Sequence, residues 1–153
     1  MSTPNPPMNL LEAIATQEGF YALGTLAQRN HNPGNIISGT FSTEHGAITI
    51  TSSLTPLAEN GYAVFPDDET GFAALRALLT GPAYRGLTVE LAINRYCPPP
   101  VTDQPLTEGN NPDVYVRNVC LWCECEPSTI IDSLIPAGEA SIEPTAPVAG
   151  TVQ

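Results

Sequence analysis

The sequence predicts an α+β domain, mainly helical, with a small three-stranded antiparallel sheet. Three observations predict it. Apolar residues recur at helical spacing early in the chain; a middle stretch changes to short β-prone runs; helical spacing then returns, so that strands and helices are segregated rather than alternating. The chain has 153 residues, 42% of them hydrophobic, which suits one domain with a packed core.

Residues 1–8 (MSTPNPPM) read as a Pro-rich, flexible lead-in. The first helix opens at Asn9, a good N-cap, with Glu12 three residues on as in a capping box. Leu11, Ile14 and Ala15 mark its inward face, and Gly19 stops it. One further step along that face reaches Glu18, because 11, 14, 15 and 18 follow i, i+3, i+4, i+7. Arg29-Asn30-His31-Asn32-Pro33-Gly34-Asn35 is dense in turn formers and reads as a loop. Ile36–Phe41, Ala47–Thr51 and Tyr62–Phe65 are the β-prone runs, separated by Gly and polar turns. Asp67 or Asp68 then caps a helix with Phe72, Leu75, Leu78 and Leu79 on one face, ended by Gly81-Pro82. Thr88 caps a short helix through Ile93, before a run of three prolines at 98–100 that cannot stay helical. Residues 98–110 read as a polar, Pro-rich loop. Asn111-Pro112 opens the next helix, with Asn as cap and Pro at the first position. Val116, Val119, Cys120 and Cys123 line one face of it, and Tyr115, Val119 and Trp122 an adjacent one. Ser128 caps a last short helix through Leu134. The tail, 136–153, is rich in small residues and Pro and reads as flexible, so the folded unit is 9–135.

The net charge of −11 argues against nucleic-acid binding, which needs a basic face, and against electrostatic docking on anionic membranes. No apolar run approaches the roughly 20 residues that span a bilayer. The first residues lack the basic start and apolar core of a signal peptide, so work outside the cytoplasm would need another route. No feature suggests an organic cofactor.

Glu18 is the leading chemical candidate. Burial without a partner raises a carboxyl's pKa and keeps its proton on, and a helix C-terminus pushes the same way. A protonated carboxyl beside a cleft can protonate the leaving oxygen of a glycosidic bond; the plainer reading is an edge glutamate that turns into water. The amides of the 30–35 loop, Asn32 and Asn35 among them, can bind sugar hydroxyls and acetamido groups, or simply satisfy their own turn. Glu44, beside His45 between the first two runs, can be the second carboxylate of a two-acid glycosidase, or a solvated charge at a hairpin tip. Tyr115, with Tyr96, can orient the acid by hydrogen bonding, or pack as a core tyrosine. Cys120, Cys123 and Cys125 include a C-x-x-C spacing, but no second such pair and no nearby His accompanies it. Burial as small apolar groups is therefore expected over a metal or redox role, no metal ligands are assigned, and a disulfide from Cys97 stays open.

In order along the chain, Gln17-Glu18-Gly19-Phe20, Arg29-Asn30-His31-Asn32-Pro33-Gly34-Asn35-Ile36, Phe65-Pro66, Glu69-Thr70-Gly71, Tyr84-Arg85-Gly86-Leu87-Thr88, Ile93-Asn94-Arg95-Tyr96-Cys97-Pro98-Pro99 and Tyr115-Val116 resemble a group of phage-type and bacterial muramidases and lytic-transglycosylase-like proteins with an RNNNPGNI loop and a YAPP stretch. The resemblance spans about residues 12–134. His31 stands within the asparagine run and Cys97 replaces the alanine of the second motif. The resemblance implies a lysozyme-like fold, a general acid at Glu18, a cleft bordered by the Asn32–Asn35 loop, and Tyr115 projecting toward the acid. The expected substrate is peptidoglycan, cut at the β-1,4 bond between MurNAc and GlcNAc, and the expected place of action is the cell wall. The alternative is a non-catalytic glycan-binding or phage structural protein.

Overall fold

A computed structural model describes residues 6–50, 55–56, 58–59, 61–97 and 111–136. The described chain is mostly helical. Its helices are α1 (Leu10–Gln17), α2 (Leu26–Arg29), α3 (Thr40–Glu44), α4 (Asp68–Thr80), α5 (Val89–Tyr96) and α6 (Pro112–Cys123), followed by a 3-10 turn, Ile131–Leu134. The expected loop at 98–110 and nearly all of the expected tail, 137–153, lie outside the described residues, as do residues 1–5 of the lead-in.

Caps set the helix starts. Asn9 and Glu12 form the reciprocal box that their spacing implied: Glu12 N–H donates to Asn9 Oδ1 at 2.9 Å and Asn9 N–H to Glu12 Oε1 at 3.0 Å. Asp67 receives the Thr70 N–H at 2.8 Å, Thr88 the Leu91 N–H at 3.2 Å, and Asn111 the Asp113 N–H at 3.0 Å. Each satisfies one of the donors that a helix start leaves orphaned. α5 runs one turn beyond Ile93, to Tyr96. Ser128 is not a cap: the final turn starts after Ile130, with no side-chain bond.

The three-stranded antiparallel sheet is not formed. The strands β1 (Thr49–Ile50), β2 (Thr55–Pro56), β3 (Ala58–Glu59) and β4 (Tyr62–Ala63) have two residues each and pair only two by two, β1 with β2 and β3 with β4. The expected strand Ile36–Phe41 makes a single bridge, Ile37 to Tyr62, and its end is taken by α3. Local side-chain bonds explain the difference. The Asn32 amide accepts from Ile36 N–H (2.8 Å) and donates to the Ile36 and Ala63 carbonyls (3.0 and 2.9 Å), occupying groups a regular ladder would use. The Ser42 hydroxyl accepts from Gly39 N–H at 3.0 Å and starts a helical turn instead. Short polar side chains compete with sheet pairing in this way. A fold assigned through that sheet, the lysozyme-like one included, is therefore corrected to a mostly helical fold with paired strand fragments.

The core is helical in origin. α1 packs on α6, α6 on α5, and α1 on α4. Leu10, Ile14, Leu75, Leu79, Val89, Ile93, Val119 and Ile131 meet there with Phe65, all essentially without solvent contact. The stripe Leu11, Ile14, Ala15 is buried as its spacing implied. Met8 belongs to this body too: it packs half-buried on the core, and its N–H donates to the Trp122 carbonyl at 2.9 Å. Phe20 and Phe72 stack edge to face, with ring centres 5.2 Å apart, beside Ala15 and Ala27. This second cluster fixes the chain just after Glu18.

Two glycines allow the 30–35 loop to lie against the helices. A Cβ on Gly71 of α4 would collide with the His31 carbonyl oxygen, and one on Gly34 with the Tyr96 hydroxyl and a Leu75 methyl. The loop backbone thus touches α4 and α5 directly, and Asn35, in the left-handed region at φ 47°, is turned toward the end of α1.

Candidate active site

Glu18 is the C-terminal capping residue of α1, one turn beyond buried Ile14 and Ala15. That position presses its side chain against the 30–35 loop and α6. Asn35 Nδ2 donates to Glu18 Oε1 at 3.0 Å, and the Tyr115 hydroxyl donates to Oε2 at 2.9 Å. Burial pushes the Glu18 pKa up, and the two hydrogen bonds, which favour the carboxylate, offset part of that rise. Both protein contacts reach Glu18 as donors. As donors, both favour the carboxylate; when the carboxyl is protonated, the Tyr115 hydroxyl can turn to accept from it, so the same pair serves either state.

A cavity of about 540 Å³ opens beside the acid, with Glu18 and Asn35 in its wall. Much of the remaining wall is aromatic: Phe41 from α3, Tyr62 from β4, Tyr84 from the turn after α4, and Tyr96 from α5. Tyr96 stands between Tyr84 and Tyr115, with ring centres 6.2 and 6.5 Å away and both contacts edge to face. Its hydroxyl donates to the Gly34 carbonyl. Burial, with the Glu18 charge beside them, pushes the Tyr96 and Tyr115 hydroxyls well above the usual tyrosine range, so they remain protonated donors. Arg95 of α5 also lines the cavity, with its guanidinium 6.0 Å from the centre of the Tyr84 ring.

The structure therefore brings together Glu18, Asn35 and Tyr115. It sets the other two site residues expected from sequence apart. Asn32 is fully buried and spends its amide on Ile36 and Ala63; it shapes the loop and does not line the cavity. Glu44 is exposed at the end of α3, a helix rather than a hairpin tip, and is not in the cavity wall. Its neighbour His45 stacks on Phe41 and bonds that residue's carbonyl at 2.8 Å. Glu18 is the one carboxylate among the described wall residues. Phe41, Tyr62, Tyr84 and Arg95 were not expected from sequence as site residues, although Tyr84 and Arg95 stand in two of the motifs that carry the resemblance. The aromatic share of that stretch was a weak signal, and only the packing of α3 and α5 against the loop makes a wall of it.

The four cysteines are free thiols. Cys97 lines the cavity, while Cys120, Cys123 and Cys125 cluster at the end of α6. Burial, with the neighbouring Cys125 adding to it, pushes Cys120 and Cys123 up to about 12, so neither is a ready nucleophile. Among the described residues no group of three or more His, Cys, Asp or Glu is placed to hold a metal ion, and no helix is long and apolar enough to cross a membrane.

The chain matches no known family, no curated protein and no solved structure.

Proposed function

We propose that the protein is a peptidoglycan-cleaving glycosidase, a muramidase or lytic transglycosylase, acting on the MurNAc–GlcNAc β-1,4 bond with Glu18 as general acid. The observation that carries this reading is the state of Glu18: a carboxyl with a raised pKa, held by two donors at the edge of an open aromatic cavity. Aromatic faces suit the apolar faces of sugar rings, and a neutral carboxyl suits proton delivery to a glycosidic oxygen.

With one carboxylate in the described wall, the simplest balanced route uses Glu18 twice. It donates its proton to the GlcNAc O4 as the bond from MurNAc C1 to that oxygen breaks. The MurNAc 6-hydroxyl then attacks C1, and its proton returns to the Glu18 carboxylate, leaving a 1,6-anhydro end. Water in place of that hydroxyl gives hydrolysis by the same proton cycle.

One observation favours a second reading, a non-catalytic glycan-binding or phage structural protein: two donors on one carboxyl are also how a buried structural glutamate is satisfied. A single assay separates the two. Purified peptidoglycan is incubated with the wild type and with Glu18→Gln, and soluble products are read by mass spectrometry. The catalytic reading expects muropeptides from the wild type alone. Equal release by both proteins would remove Glu18 from the role of acid, and no release from a folded wild type that still pulls down the wall would turn the assignment to binding.

A further inference from the structure

The cavity wall contains a charge that proton delivery does not use. The chain has 5 Lys and Arg against 16 Asp and Glu, and all five cations are arginines. Arg95 is the one that lines the cavity with Glu18. It makes no ion pair among the described residues; the pair found there is His31 with Asp68, at 2.7 Å. Its described partner is the ring of Tyr84, which also lines the cavity. Stacking on a ring occupies the flat face of a guanidinium and leaves its N–H fork free for a planar anion. No ion pair joins Arg95 to Glu18 among the described residues. Next to the acid, the buried Asn35 Oδ1 is without a hydrogen-bond partner among the described residues.

We infer that Arg95 binds a carboxylate carried by the glycan, so that the site selects acidic-sugar chains over neutral ones. This rests on the glycan-cleaving reading of Glu18 and names the group on the substrate by which the site selects it, which that reading leaves open. The carboxylate has two sources in a wall polymer: the lactyl group of a muramic residue stripped of peptide, or the stem peptide. On an acidic protein, a lone cation in the cavity also gives an acidic chain a local attraction that the rest of the surface opposes.

The test is calorimetric binding to the Glu18→Gln protein, which prevents turnover, with three oligosaccharides of equal length. One is neutral N-acetylglucosamine oligomer, one is peptide-free muramyl oligomer, and one bears stem peptides. We expect an acidic oligomer to bind about tenfold or more tightly than the neutral one, as a charge-assisted hydrogen bond implies. Glu18→Gln/Arg95→Gln should lose that preference while still binding the neutral oligomer. Glu18→Gln/Arg95→Lys, which keeps the charge but not the fork, should retain part of it. Preference for the peptide-free oligomer names the lactyl group; preference for the stem-bearing oligomer alone names the peptide. Equal binding of neutral and acidic oligomers, or a preference that survives Arg95→Gln, overturns the inference and leaves the glycan reading standing. Failure of all three to bind a folded protein overturns both.

Discussion

Glu18 and its two donors set opposing demands that substitutions can separate. Because burial raises its folded pKa, the native state holds the Glu18 proton more tightly than the unfolded chain does. Its contribution to stability is therefore fully present below the unfolded carboxylate pKa and lost as pH rises through the raised folded value. Glu18→Gln removes that loss. Its melting temperature should equal the wild type's in acid and match or exceed it at neutral pH, as paired thermal melts across pH would reveal, even as wall cleavage disappears. Tyr115→Phe acts on the same balance from the other side. It deletes a donor that favours the carboxylate, so the Glu18 pKa rises further. The limb on which activity falls with increasing pH should move to higher pH, and a pH–rate profile showing it unmoved or moved toward acid would contradict the hydrogen bond's role.

At the scale of elements, the 30–35 loop carries the site. Asn32→Ala would strand the Ile36 N–H and take a donor from the Ile36 and Ala63 carbonyls, the first of which keeps the Ala63 N–H; at about 1 kcal/mol per lost bond, about 3 kcal/mol of stability should go. Thermal denaturation should register a fall of roughly 10 °C in Tm. Gly71→Ala should also destabilise, since its methyl collides with the His31 carbonyl oxygen; an unchanged melting temperature would mean that the loop does not rest on α4. The same elements mark what sequence reasoning could reach. The box at Asn9 and Glu12, the caps at Thr88 and Asn111, and the inward register of Glu18 are local patterns of three to seven residues, and they were legible. The strand reading of Ile36–Phe41 failed because β-propensity there was overridden by bonds from Asn32 and Ser42, one of them reaching Ala63 across 31 positions. Asn32 and Asn35, three residues apart in one turn-forming run, look alike in sequence; one holds the backbone and the other holds the acid. The cavity wall was illegible for the same reason, since Phe41, Tyr84 and Arg95 come together only through packing.

For the whole molecule, the charge balance and the single carboxylate in the described wall make predictions of their own. If Glu18 serves as both acid and base, Glu44→Gln should leave the rate within about twofold whether the products end in 1,6-anhydro sugars or in reducing ends, because Glu44 is exposed and outside the cavity wall. Reducing ends together with a large loss in Glu44→Gln would instead point to a water-activating base supplied by α3.

The acid's two partners both follow it along the chain, at very different separations: Asn35 lies 17 positions from Glu18, and Tyr115 lies 97. No contiguous peptide shorter than 18–115 can contain all three, and none that short would include α1 or complete α6, the helices that aim Glu18 and Tyr115. The chemistry is thus not portable as a cassette. Grafting the Glu18 segment and the Asn35 loop onto another scaffold would transfer the acid with only one of its two donors. Turnover should likewise be a gauge of global integrity, vanishing in step with cooperative unfolding rather than before it.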